Sequence, residues 1–302
     1  MRLKYLILLL CFLGFGHAAS RREMLSNGAV YLSYTAGSNS SSGSGFIFFR
    51  AEDPAKESDP STLGRLFLVT NKHVLPPEGA ECKLSVRVTI GSGQALSAKI
   101  IEIPIVGSDG KYLSTVRLHP KNDVAAVRVT DNLLQGGVRL DAGFVFTSLL
   151  GTKDKLKASG VGLVGDEIFT LGYPAGLFDT RNANPIWRTG IISTSPLLGY
   201  AFSEVMQKNW ELPSYLDGFL VDAQVYPGSS GSLVICKPQP TSIDAPGGIF
   251  IGGPRSMTYV LGIISASIPM LDSNLHVYTR VGLGVVESAD AINETIESFF
   301  IK

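Results

Sequence analysis

Residues 225–236 read VYPGSSGSLVIC, with Ser229, Ser230 and Ser232 crowded between glycines. A serine hydroxyl attacks a carbonyl only when a neighbouring base takes its proton and a third group orients that base. The oxyanion that forms needs two backbone N–H groups converging on one point. A glycine-rich turn can aim such N–H groups, because side chains would block the approach. The pattern Gly-x-Ser-Gly meets this need. Ser230 alone satisfies it, with Gly228 two residues before and Gly231 directly after. Ser229 fills the x position, and Ser232 falls beyond the turn, where a strand should begin. Ser230 is therefore the candidate nucleophile, and the N–H groups of Gly228 and Ser230 are the candidate oxyanion hole.

Beyond the first twenty residues the histidines are His73, His119 and His276. His73 ends the apolar run LFLVTNKHVL, so it should sit at a strand end facing a cleft. His119 precedes a proline in RLHPKND and reads as a loop residue. Asp123 opens another apolar run, NDVAAVRV. His73 and Asp123 thus flank hydrophobic runs in one part of the chain, and Ser230 flanks one in another.

The elements that must hold these residues are short and strand-like. They include Gly45–Phe49, Leu66–Thr70, Leu84–Ile90, Lys99–Ile103 and Val124–Val129. After a polar stretch at Gly151–Ser159 come Glu167–Leu171, Ile191–Thr194, Phe219–Val221, Leu233–Ile235, Tyr259–Ile264 and Val277–Val281. LSVRVTI and VAAVRV alternate as half-buried strands do. Many short strands with almost no helical periodicity predict an all-β sandwich or barrel. Residues 36–43 and 236–257 read as loops. Near the C-terminus, Ser288 can cap a helix that carries Ile292, Ile296 and Phe299 on one face.

Five segments then occur in a fixed order: GSGFIF at 43–48, LVTNKHVL at 68–75, NDVAAVRV at 122–129, GDEIFTLGYPAG at 165–176 and DAQVYPGSSGSLV at 222–234. In this the chain resembles the trypsin-like (chymotrypsin-fold) serine endopeptidases. The bacterial pattern it is most similar to is the protease domain of the HtrA family. The resemblance runs from about residue 28 to 298. It implies two six-stranded antiparallel β-barrels, about 28–150 and about 151–287, followed by a helix over about 288–300. It implies a triad of His73, Asp123 and Ser230 that cleaves peptide bonds through an acyl-enzyme. It also implies that Ile264, Ser265 and Ala266 pair with substrate backbone. Gln224, Val225 and Ser267 would line the pocket for the side chain before the cut, and His276 can reach the same pocket. No acid stands at the pocket base, where Gln224 is found, so a small or medium apolar side chain is the expected preference. A histidine in the pocket leaves an acidic side chain as the other option. Ser229 stands where trypsin carries the acid that captures a freshly cut N-terminus, so that zymogen switch is not expected. No PDZ domain is expected after the protease domain.

Composition bounds what else the chain does. It has 302 residues and a formal net charge of zero, with no basic stripe, so nucleic acid is not an expected partner. The start, MRLKYLILLLCFLGFGHAAS, has a short basic lead, an apolar run and small residues, the layout of a secretory signal peptide over 1–19. The run is too short to span a bilayer, so no stable membrane insertion is expected. The mature domain would occupy 20–302 in the periplasm or outside the cell. Cys82 and Cys236 remain after cleavage, as one disulfide or as two thiols. No motif asks for a cofactor or a metal, and polypeptides are the expected partners. Two other readings stay open: a pseudoprotease that only binds, and a protease latent until a partner orders its loops.

Overall fold

The structure is a computed structural model that describes residues 21–57, 62–90, 97–136, 138, 143–210, 212–238, 240–245, 248–254, 258–272 and 277–301. The expected signal peptide and His276 lie outside the described residues.

The first half contains a short helix α1 (Arg21–Gly28) and strands β1 (Ala29–Ala36), β2 (Asn39–Ala51), β3 (Gly64–Thr70), β4 (Lys83–Ile90), β5 (Ser97–Pro104), β6 (Val116–Leu118) and β7 (Ala125–Arg128). Helix α2 (Thr130–Gln135) and strand β8 (Val145–Phe146) complete it. The strands follow one another as β5-β4-β1-β2-β3-β7-β6, with β8 parallel to β2. Among the described residues the edge strands β5 and β6 do not pair, so hydrogen bonding does not close this half into a ring.

The second half contains α3 (Lys153–Ser159), β9 (Glu167–Gly172), β10 (Ile186–Ile192), β11 (Tyr200–Ala201), α4 (Glu204–Trp210), β12 (Tyr215–Leu216), β13 (Gly218–Asp222) and β14 (Leu233–Cys236). It continues through β15 (Pro240–Ala245), β16 (Gly248–Pro254), β17 (Val260–Asp272) and β18 (Val277–Ser288) to α5 (Ala289–Glu297). Here six strands close a barrel in the order β10-β13-β18-β17-β14-β9. The molecule is thus strand-dominated with helices in the minority, as expected.

Two segments read as loops are paired strands. Residues 36–43 are mostly the β1–β2 hairpin, with Ala36 opposite Asn39 and Leu32 opposite Gly43. Within 236–257, β15 and β16 pair antiparallel. In the first case serine and glycine hid the strand signal. The polar stretch at 151–159 contains α3, which buries only Leu156.

One apolar cluster fills the first half, around Leu32, Ile47, Leu68, Val86 and Val127. A second joins the two halves. It contains Phe46, Phe48, Phe67, Val69 and Ala126 from the first, with Leu171, Tyr173, Leu233, Ile263, Ile292 and Ile296 from the second. Ser288 caps α5 by accepting the Ala291 N–H. Ile292 and Ile296 are fully buried, and Phe299 follows them against Phe67. α5 and the residues after it therefore pack against β7 and against Phe67 of β3.

Candidate active site

β3 runs outward and ends at Thr70. Asn71–Leu75 then forms a single 3-10 turn that carries His73 into the groove between the halves. Asp123 stands just before β7, which pairs with β3. Neighbouring strand ends thus deliver both side chains. The Asp123 carboxylate accepts the Lys72 N–H at 2.8 Å and the His73 N–H at 3.4 Å, and it meets His73 Nδ1 at 2.6 Å. The Asn71 amide donates to the Asp123 carbonyl at 2.6 Å. On its other side His73 Nε2 lies 2.8 Å from Ser230 Oγ. The three residues picked from the sequence thus form one continuous hydrogen-bonded line. The His73 side chain is half exposed, so the line opens on solvent where a substrate would lie.

Backbone bonds fix the turn that carries Ser230. Pro227 and Gly228 form a β-turn closed by the Ser229 N–H donating to Tyr226 O at 2.9 Å. Gly228 has φ of +84° and Gly231 of +83°, conformations that side chains resist. A Cβ on Gly231 would also overlap the carbonyl oxygen of Ser44. Among the described residues the N–H groups of Gly228 and Ser230 have no acceptor, whereas those of Ser229 and Gly231 do. Two unclaimed N–H groups beside a nucleophile are what an oxyanion requires.

Ser265 and its neighbours lie on β17. β14 pairs with β17 as far as Leu233 opposite Ile263. Beyond Ile264 that edge of β17 runs unpaired along the groove among the described residues, open to an extended peptide. Ser265 O lies 3.3 Å from Ser230 Oγ. A cleft beside the turn brings together Gln224, Val225, Ile264 and Ser229, and Arg188 from β10 joins them. Ser265, Ala266 and Ser267 do not line it.

Four residues at the site were given no role by the sequence. Ser44 is one and is treated below. Arg188 lines the cleft, donates to Gln224 Oε1 at 3.3 Å and stacks over Tyr226. Glu287 is buried at the end of β18, 2.7 Å from the Asn122 amide. Burial raises its carboxyl pKa, as does the negative charge of Asp123, while bonds from Asn122, Ser265 and the Asp123 backbone oppose the rise. His119, read as a loop residue, is buried. It accepts the Asn122 N–H at 2.8 Å and contacts Glu294 of α5 at 2.9 Å, so it braces the turn into Asp123. Cys82 and Cys236 are both free thiols. Among the described residues no cluster of three or more His, Cys, Asp or Glu could hold a metal, and no helix is long and apolar enough to cross a membrane.

Residues 43–238 match the trypsin-like peptidase domain. The chain belongs to that family. The matched span contains all three residues of the hydrogen-bonded line, and β14, which follows the nucleophile turn, ends two residues before the span does. Solved structures similar to this trypsin-like domain include an HtrA-type protease, AlgW, with a tripeptide, at 20% identity and a TM-score of 0.47. That match covers 91% of this chain and 60% of AlgW, so the chain spans less than two thirds of its length. The inactive form of the Rv3671c protease of M. tuberculosis H37Rv is 16% identical, with a TM-score of 0.46, over 92% of this chain and 91% of that one. The protease Anisep from Arthrobacter nicotinovorans is 11% identical, with a TM-score of 0.48, over 92% and 97%. No curated protein sequence matches the chain.

Proposed function

We infer that the chain is a serine endopeptidase in which Ser230 is the nucleophile, His73 the base and Asp123 its orienting partner. The observation that carries this is the imidazole of His73 bridging Asp123 at 2.6 Å and Ser230 at 2.8 Å. An extended peptide adds to the open edge of β17, with its scissile carbonyl over Ser230. His73 Nε2 takes the Ser230 proton as Oγ attacks. Asp123 keeps the proton on Nδ1 and stabilises the imidazolium. The N–H groups of Gly228 and Ser230 receive the oxyanion. His73 then protonates the leaving amine, and water hydrolyses the acyl-enzyme by the same steps in reverse.

Val225 and Ile264, which line the cleft, favour a small or medium apolar side chain before the cut, and His276 is proposed to reach it. Arg188 adds a positive charge to the adjoining cleft, so acidic residues are the alternative to test. Residues 1–19 act as a cleaved export signal, and 20–302 work in the periplasm or outside the cell on polypeptides.

The test is incubation with casein beside Ser230→Ala, with cut sites read by mass spectrometry. Cleavage by the native protein alone supports the assignment, and the residues before each cut choose between apolar and acidic pockets. No cleavage by the folded native protein favours a latent or binding-only chain.

A further inference from the structure

Four peptide units surround the proposed nucleophile, and all four of their carbonyls are held. Pro227 O accepts the Ala175 N–H at 2.6 Å, and Ser229 O accepts the Ser232 N–H at 2.9 Å. Both remaining carbonyls are held by Ser44 on β2. Its hydroxyl donates to Gly228 O at 2.8 Å, and its backbone N–H donates to Ser230 O at 2.7 Å. In a trans peptide the N–H points away from the C=O, so fixing a carbonyl fixes the direction of the attached N–H. Ser44 therefore sets the planes on both sides of the Ser229–Ser230 unit.

The hydroxyl of Ser44 is itself held by two further bonds. It accepts the Tyr173 N–H at 2.9 Å and the Ser232 hydroxyl at 3.2 Å. The Ser44 carbonyl accepts the Thr70 hydroxyl at 2.7 Å, one strand end away from His73. Ser44 is fully buried, as is Thr70, and Ser232 is nearly so. A buried hydroxyl group in an otherwise apolar interface is costly unless its bonds are made. Here the bonds of one residue join β2, β3, the end of β9 and the Ser230 turn.

We propose that Ser44 is a positioning residue for catalysis: its hydroxyl holds the Gly228 carbonyl, and with it the Gly228–Ser229 peptide that joins the two units carrying the Gly228 and Ser230 N–H groups, so that both N–H groups stay turned to the oxyanion. Gly228 makes such a clamp necessary. A glycine at φ of +84° has no side chain to resist rotation of its peptide, and rotation would swing a carbonyl toward the site. This proposal rests on the reading of Ser230 as nucleophile.

Ser44→Ala in the full chain is the test. It leaves Gly228 O and Tyr173 N–H buried without a partner. Expected is a fall in kcat of about ten- to a hundredfold with KM within about threefold, because the lost interaction acts on the transition state. A purely structural role predicts a lower Tm with kcat unchanged per folded molecule. Thr295→Ala, which removes a buried hydroxyl within α5, is the control for that outcome. Active molecules are counted with a biotinylated fluorophosphonate, whose labelled residue is mapped by mass spectrometry. If native protein takes no label on Ser230, the nucleophile assignment fails. If native Ser230 is labelled and folded Ser44→Ala keeps kcat within twofold, the positioning role is overturned while the assignment stands. Should Ser44→Ala not fold, Ser44→Cys keeps a weaker donor in nearly the same volume. Its kcat must fall at least about fivefold, and native-like turnover there overturns the proposal equally.

Discussion

At the scale of single residues, the site is a chain of polar groups in which each member fixes the next. His73 cannot turn while Asp123 holds Nδ1, and Asp123 cannot turn while Lys72 and His73 donate backbone N–H groups to it. Asp123→Asn should leave the fold intact and lower kcat by about ten thousandfold, because an amide favours the wrong imidazole tautomer. Steady-state hydrolysis of a peptide cut by the native enzyme checks this, and a loss below tenfold would contradict the assigned role. Glu287 makes a separate, titratable contribution. Its carboxyl binds a proton more tightly folded than unfolded, because burial and Asp123 both raise its pKa. The stability it contributes is therefore fully present below the ordinary glutamate range and is lost as pH rises through its raised pKa. The Tm of native protein relative to Glu287→Gln should decline from pH 4 to pH 8, and a flat difference would show that Glu287 does not titrate this way. His73, Asp123 and Ser230 could be picked from the sequence because each sits beside an apolar run or a glycine turn. Ser44, Arg188 and Glu287 were not, because their roles come from partners far along the chain. Ser44 and Gly228 are 184 positions apart.

At the scale of elements, what could be read depended on side-chain pattern. β4 alternates over KLSVRVTI and is buried at alternate positions over most of its length. α5 shows its cap and its apolar face and forms as read. β1 escaped, and β2 was read only over Gly45–Phe49, because Ser40–Gly45 is serine and glycine, which mark turns elsewhere. Here Gly43 and Gly45 let β2 approach the nucleophile turn and β3 closely. α3 and α4 are single short helices with few apolar residues, too brief for periodicity to emerge. The cap of α5 gives a direct measure of this level. Ser288→Ala removes the acceptor for Ala291 N–H and should cost about 1 kcal/mol in denaturant unfolding. Kinetic constants should stay as in native protein, since the Ser288 hydroxyl bonds the Ala291 N–H and not His73, Asp123 or Ser230.

At the scale of the molecule, the cluster joining the halves dominates. It runs from Leu25 to Ile296 and includes strands from both sides of the groove. Ile296→Ala should cost about 2–5 kcal/mol and lower both fluorescence and activity midpoints together, because the cluster that holds Ile296 is shared by both halves. Two separated transitions would show instead that the halves are independent. The thiols offer another check. Cys236 is buried, and burial pushes its pKa up to about 11. Thiol reagents should therefore spare it until global unfolding, and reductant should not shift the melt of native protein.

The position of α5 also bears on biosynthesis. A chain made from its N-terminus has β2, β3 and β7 in hand early, yet Ile292 and Ile296 complete their packing only when the last turns emerge. Until then the inter-half cluster that brings His73 and Asp123 up to Ser230 is unfinished. Packing of this cluster is therefore completed only after α5 has been made.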